Sequence, residues 1–252
     1  MAIQSRRTDL TAVVLAGGKG TRIAGMFPDL PKPMVPAAGA PFLFWVTGWL
    51  IKNGVTDVVY SIGHQAGAVE AWRDRLHPNP GISLRCQREE TALGTGGAVR
   101  NCLGLCAETL IVTNGDTLLV ADLRSAIDRF FGEKLDGVLL AIEVPDTSRY
   151  GSLRVERGIL RAFAEKVAGS GLVYGGTLII KRALLREGAG LRGTSLETDI
   201  LPGLLTEGRR LGVVASAAPF LDIGTPQTVQ QATSFIDAHR SALSADWGIA
   251  QP

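Results

Sequence analysis

The feature that most restricts what this chain can fold into is an alternation in its first half. Apolar runs rich in Val, Ile and Leu recur at Thr11–Ala16, Asp57–Ile62, Ile82–Cys86 and Thr109–Thr113. Uninterrupted apolar runs of this length suit parallel strands buried on both faces. Helix-like stretches at Phe42–Lys52, Ala66–Leu76 and Gly97–Leu105 fill the gaps. Strand, helix, strand in that order implies a Rossmann-like, doubly wound α/β sheet. Ligands of such sheets bind beyond the carboxyl ends of the strands, so the loops leaving these runs are where a site is to be sought.

After Asp136 the crossover helices disappear. Strand patterns at Gly137–Glu143, Gly151–Val155 and Gly171–Ile180 follow one another, so the sheet is expected to be mixed, with an antiparallel part. A helix is expected over Leu196–Thr206 and a strand over Leu211–Ala215. A last helix starts at Pro226, where Thr225 can cap and proline suits the first turn. The tail after Ser244 shows little pattern. There are no repeats and no low-complexity linker, so a single domain over about residues 10–240 is expected.

Composition excludes several classes. Net charge is +2 with scattered basic residues, which offers no footprint for nucleic acid or an anionic membrane. The N-terminal apolar run breaks into glycines, unlike a signal peptide, and no later stretch reaches the roughly 20 apolar residues of a membrane span. A cytoplasmic location is expected. Cys86, Cys102 and Cys106 leave one thiol over in any disulfide scheme and fall short of a four-ligand zinc site, so they read as reduced core residues. His64, His77 and His239 lack the HExxH spacing.

The chemistry lies in the strand-end loops. The first strand ends in Leu15-Ala16-Gly17-Gly18-Lys19-Gly20-Thr21-Arg22, whose glycines let the backbone approach a ligand and turn N–H groups toward phosphate. The spacing fits neither the Walker pattern nor a dinucleotide GxGxxG, which would need glycine at Ile23. Next comes Leu30-Pro31-Lys32-Pro33-Met34, where two prolines stiffen the mount of one lysine. Glu89-Glu90-Thr91-Ala92-Leu93-Gly94-Thr95-Gly96-Gly97-Ala98 is a second glycine-rich helix entry. Thr113-Asn114-Gly115-Asp116 and Phe220-Leu221-Asp222-Ile223-Gly224-Thr225-Pro226 each deliver one aspartate.

Together these segments closely resemble the signature of the sugar-1-phosphate nucleotidyltransferases, a GGxGTR loop followed by a PKP lysine. The resemblance spans roughly residues 11 to 235 with the motifs in the family's order. It implies a fold of the nucleotide-diphospho-sugar transferase type, with a nucleotide-binding half over about 10–135 and a sugar-binding half over about 136–240. Leu15, Ala16, Gly17, Gly18, Lys19, Gly20 and Thr21 would contact the nucleotide, with Gly94 and Thr95 beside the base and ribose. Arg22 and Lys32 would neutralise the triphosphate, and Asp116 and Asp222 would hold Mg²⁺. On the sugar side, Arg149-Tyr150-Gly151 resembles a YG element and Glu165-Lys166 a Glu-Lys pair. Lys166 would then meet the sugar phosphate, and Gly151, Glu165, Asn114, Gly115, Gly176 and Thr177 the sugar. Thr177 departs from the aromatic residue that follows the second glycine in the family forms.

The short length, the LGTGGA form and the RYG element look most like D-glycero-D-manno-heptose 1-phosphate guanylyltransferases. Mannose 1-phosphate guanylyltransferases are near neighbours. Glu89 suits a guanine reader, because an ionised carboxylate can accept from both N1–H and the N2 amino group. Gln87 is the competing reader and would suit a pyrimidine equally well, as in a uridylyl- or thymidylyltransferase. The expected substrates are thus a nucleoside triphosphate, GTP on this reading, and a sugar 1-phosphate. A non-catalytic nucleotide-sugar sensor and an NAD-dependent oxidoreductase are the rival classes; the paired aspartates oppose the first and the glycine spacing the second. Two-fold assemblies being the commonest, a homodimer is the expected oligomer.

Overall fold

The computed structural model describes residues 10–148, 152–164, 169–186 and 194–249, and in it the alternation becomes one mixed sheet. Strand β1 (Leu10–Leu15) leads through the glycine loop, a 3-10 turn at Lys32–Met34 and a small hairpin of β2 (Pro36–Ala37) and β3 (Ala40–Pro41) into helix α1 (Phe42–Lys52). Then follow β4 (Asp57–Ile62), α2 (Ala66–Asp74), β5 (Ser83–Arg88), α3 (Gly94–Cys102) and β6 (Thr109–Asn114). The remainder comprises β7 (Thr117–Leu119), α4 (Leu123–Gly132), β8 (Gly137–Val144), β9 (Ser152–Glu156), β10 (Ile159–Ala164) and β11 (Gly171–Lys181). It closes with α5 (Leu201–Thr206), β12 (Leu211–Ser216), β13 (Phe220–Asp222) and α6 (Pro226–Leu243).

The large sheet runs β5-β4-β1-β6-β11-β8-β12-β10-β9. β1 lies between β4 and β6 and is parallel to both. The chain therefore leaves β1 toward one side and later returns to the other, and at this reversal the carboxyl ends of β1 and β6 open a crevice. β11 is antiparallel to β6 and to β8, which makes the sheet mixed as expected.

The period of two explains why the strands read as continuous apolar runs. Ala12, Val14, Val58, Tyr60 and Ile111 pack on one face with α1, while Val13, Val59, Leu110 and Val112 pack on the other with α3. Helix α1 is buried at every position from Phe42 to Leu50, so it needs no polar face. Its Gly48 lies against the Leu243 carbonyl, and any Cβ there would collide with it.

Three sequence expectations are corrected and one helix is added. The strand expected at Ile82–Cys86 runs Ser83–Arg88 and is only half buried, because it is the sheet's outer strand and carries Arg85, Gln87 and Arg88. The helix expected from Gly97 already starts at Gly94, and its expected end, Leu103–Leu105, is a separate 3-10 turn. The Leu196–Thr206 helix opens with a π turn, Leu196–Ile200, before α5. Helix α4 was not foreseen, although Leu123, Ala126, Ile127 and Phe130 recur at helical spacing and all are buried.

The tail after Ser244 is also more ordered than its pattern suggests. Trp247 is fully buried, its ring 5.2 Å from that of Phe44 on α1, and its carbonyl accepts from the Asn79 amide at 2.8 Å. Its indole Nε1 has no hydrogen-bond partner among the described residues, so the side chain contributes through packing. Trp247→Ala should cost about 3–5 kcal/mol of stability in urea unfolding, the usual range for emptying a large aromatic site. Trp247→Phe should cost clearly less, since no hydrogen bond is lost. Equal losses in the two variants would contradict a packing role.

Candidate active site

The crevice at the strand-order reversal is a cleft of about 460 Å³ lined by the ends of β1 and β6, the glycine loop and the entry to α3. Two backbone devices set its floor. Leu15 and Asn114 are register partners, and the Gly115 amide continues the pairing by donating to the Leu15 carbonyl at 2.9 Å. A Cβ on Gly115 would sit 2.9 Å from that carbonyl and 3.2 Å from Pro33, so glycine is needed where β6 passes the proline-flanked turn. This close approach delivers Asp116 directly beside Lys32.

Asp222 arrives from the other end of the chain by a second pairing. β13 runs antiparallel to β7 with Asp222 opposite Thr117, and the Ile223 amide donates to the Asp116 carbonyl at 3.1 Å. The two carboxylates converge on one ammonium. Lys32 Nζ lies 2.5 Å from Asp116 Oδ2 and 3.3 Å from Asp222 Oδ1. The Lys32, Asp116 and Asp222 side chains are 11%, 29% and 16% exposed, so these charges are partly withdrawn from water and screened by one another. Buried Pro31 and Pro33 hold the lysine stem from either side, and the Met34 amide closes the turn on the Pro31 carbonyl at 2.8 Å.

The glycine loop folds over this cluster. Gly20 has φ +57°, in the left-handed region, and an added Cβ would meet the Lys32 Cβ at 3.0 Å. Gly17 lies under Glu89, whose Oε1 would be 2.6 Å from a Cβ at Gly17. Glu89 in turn accepts from Ser61 Oγ at 3.1 Å through Oε1 and from the Leu93 amide at 3.2 Å through Oε2. It thereby ties β4, the glycine loop and the α3 entry together, and each oxygen retains a lone pair for a further donor.

The structure brings most of the expected site residues to one cleft. Leu15, Ala16, Gly17, Gly18, Lys19, Gly20, Thr21, Arg22, Lys32, Glu89, Gly94, Thr95, Asn114 and Asp116 line it, and Asp222 joins through Lys32. Gln87 sits on β5 opposite Ser61 and outside that lining. Gly176, with φ +81°, packs 3.1 Å (from its would-be Cβ) against Asn114 Nδ2, whereas the Thr177 hydroxyl is buried against Thr113 Oγ1 at 2.9 Å. Gly151, Glu165 and Lys166 lie outside the described residues, as do Arg149 and Tyr150.

The glycines before α3 have a neighbour that sequence reading missed. Gly96 and Gly97 donate their amides to the Thr194 carbonyl, a Cβ at Gly94 would lie 2.7 Å from that oxygen, and one at Gly96 would collide with Ile200. Thr95 Oγ1 accepts from the Leu196 amide at 2.8 Å. The close approach that these glycines permit is thus to the chain before the π turn. Ser61, the anchor of Glu89, was also missed; a hydroxyl at the end of an otherwise apolar strand was the available signal.

Among the described residues, no group of three or more Cys, His, Asp or Glu side chains is placed to hold a metal, and neither histidine nor cysteine lines the cleft. Burial pushes the thiols of Cys86 and Cys102 up to about 11 and that of Cys106 up to about 12, which keeps them protonated and inert at neutral pH. The chemistry available is that of fixed cations, the carboxylates of Glu89, Asp116 and Asp222, the Thr21 and Thr95 hydroxyls, the Asn114 side chain and backbone amides.

Three comparisons bear on the site. A family model described as nucleotidyl transferase matches residues 11–239. D-glycero-alpha-D-manno-heptose 1-phosphate guanylyltransferase of Aneurinibacillus thermoaerophilus is 32% identical, over 88% of this chain and 96% of its own. Mannose-1-phosphate guanylyltransferase of Mycobacterium tuberculosis is 32% identical over 86% of this chain, which spans 61% of that longer protein. Among solved structures, HddC from Yersinia pseudotuberculosis, complexed with GMP-PN, superposes with a TM-score of 0.75 at 30% identity, covering 89% of this chain and 98% of that one.

A paired glycine substitution separates the roles within the loop. Gly17→Ala should displace Glu89 and lower both the melting temperature and the affinity for nucleoside triphosphate. Gly18→Ala, whose Cβ meets nothing within 4 Å, should leave the melting temperature unchanged. A Gly17→Ala protein with unaltered stability and nucleotide binding would show that the Glu89 bracket is not needed.

Proposed function

The chain belongs to the nucleotidyl transferase family, and from that premise we propose that it transfers GMP from GTP to a heptose or mannose 1-phosphate, releasing pyrophosphate. The observation that carries this reading is the convergence of Lys32, Asp116 and Asp222 at the mouth of the glycine loop. Both reactants are phosphates and repel each other. The attacking sugar phosphate oxygen is already an anion at neutral pH, so catalysis calls for neutralisation and alignment more than for a base. The backbone amides of Gly17, Gly18 and Gly20, with Lys19, Arg22 and Lys32, answer the first need.

The donor set suits a small hard cation. Two carboxylates already share one positive charge, and Mg²⁺ is commonly bound by one or two carboxylates together with substrate phosphates and water. Asp116 and Asp222 would hold it, and it would supply charge neutralisation at the reacting phosphate. Lys32 and Arg22 would stabilise the leaving pyrophosphate. On the sugar side Asn114 lines the cleft with Gly176 packed against it, and Lys166 is assigned to the sugar phosphate by resemblance alone.

Guanine is the proposed base because Glu89 borders the cleft with acceptor capacity left over. The relatives named for guanylyl transfer and the GMP-PN complex of HddC agree with it. The proposed enzyme works in the cytoplasm, as a homodimer.

Pyrophosphate release measured over a panel of triphosphates and sugar 1-phosphates tests the reading. GTP with a heptose or mannose 1-phosphate should give the highest specificity constant, and Asp116→Asn or Asp222→Asn should lower turnover by orders of magnitude while the fold persists. Preference for UTP or dTTP would overturn the base assignment. Near-normal turnover in either asparagine variant would remove that residue from the reaction. Glu89→Gln should weaken GTP use by about 10-fold, through loss of a charge-assisted bond to guanine.

A further inference from the structure

Lys32 occupies the position between two carboxylates that the proposed function gives to a cation. Its ammonium reaches both Asp116 Oδ2 and Asp222 Oδ1, and it is the most enclosed of the three groups. A divalent ion and an ammonium cannot share the pair without strong repulsion in a partly dehydrated site. Admission of the ion therefore requires the ammonium to leave.

Where the ammonium can go depends on what else is in the cleft. The lysine backbone is fixed by Pro31, Pro33 and the closed turn, so only the side chain can swing. Its stem lies beneath Gly20, which leaves the glycine-loop side of the cleft within reach. That side is lined by Lys19 and Arg22. Among the described residues it offers a displaced ammonium no anion apart from the Glu89 carboxylate, which already accepts from Ser61 and Leu93. A triphosphate laid along the glycine loop provides one.

We propose that Lys32 is a built-in competitor of the divalent cation, so that the Asp116–Asp222 pair takes up metal only when a triphosphate draws the ammonium away. The inference rests on the reading of those two aspartates as the cation pair. Metal and nucleotide then bind with positive coupling, part of which is carried by the exchange of Lys32 from carboxylates to phosphate; by linkage each ligand raises the other's affinity equally. On this account Lys32 balances the two carboxylates until a triphosphate arrives.

The test is the binding of Mn²⁺ alone to the full chain without nucleotide, read by the loss of the free-ion paramagnetic resonance signal. Lys32→Met should bind Mn²⁺ about 10-fold or more tightly than the wild type, with Lys32→Gln as a second neutral replacement and unfolding midpoints confirming that both fold. Lys19→Met, which removes a charge from the same cleft without touching the carboxylates, should raise Mn²⁺ affinity far less than Lys32→Met. Equal affinity in the wild type and both Lys32 variants, including equal absence of binding, would overturn the proposal. So would an equal gain in Lys19→Met, which would mark a diffuse field effect. The same titration with GTP present, read as Mn²⁺ bound beyond what GTP holds in a protein-free sample, in Asp116→Asn and Asp222→Asn, separates the two levels of the argument. Loss of Mn²⁺ uptake there with no Lys32 effect defeats only the competitor role, whereas uptake unaffected by either asparagine defeats the cation-pair reading as well.

Discussion

One ammonium between two carboxylates joins three distant parts of this chain. Lys32 stands on a turn after the first strand, Asp116 follows the fourth strand of the parallel set, and Asp222 lies on the return from the last strand of the large sheet. Bringing like-charged aspartates together in a half-buried place is unfavourable unless a cation balances them. Lysine does so here, and the backbone pairings between β1 and β6 and between β7 and β13 offset the remaining penalty of convergence. The sheet order is what makes this possible, because the reversal at β1 sets the ends of β1 and β6 side by side.

The second constraint is proximity of backbone to backbone. Gly115 passes Pro33, Gly17 passes beneath Glu89, and Gly96 receives the chain at Thr194 and Ile200. Each contact removes the space a methyl group would take, and each links a cleft wall to the scaffold behind it. The Glu89 bracket is the clearest instance: one carboxylate holds the end of β4, the glycine loop and the α3 entry in fixed relation. A base-reading role and a bracing role for Glu89 are compatible, since two of about four acceptor positions remain open.

The parallel half of the fold was legible because its strands are buried on both faces. Val13, Val59 and Val112 pack on one side of the sheet while Ala12, Val58 and Ile111 pack on the other, so the runs that contain them are apolar without interruption. The strand-end motifs were equally readable as parts of one cleft, since their glycines, lysines and arginine stand at the strand carboxyl ends that the sheet order brings together. What stayed hidden was set by partners remote in sequence. The edge position of β5, the capping of α3 by Thr194 and the burial of Trp247 against Phe44 depend on elements that no local pattern names. Helix α4 was different, for its buried Leu123, Ala126, Ile127 and Phe130 carry a helical period that lies within the segment itself.

Neither histidine nor cysteine lines the cleft among the described residues, and its charged side chains are Lys19, Arg22, Lys32, Glu89 and Asp116. With Lys32 held as an ammonium between two carboxylates rather than presented as a free amine, the set favours direct displacement, with both phosphates held together and no nucleotidyl group parked on the protein. Exchange of labelled pyrophosphate into GTP tests this most directly. Direct displacement predicts exchange when the sugar 1-phosphate is present and none when it is left out. Exchange in the absence of the sugar phosphate, or none under either condition, would contradict it.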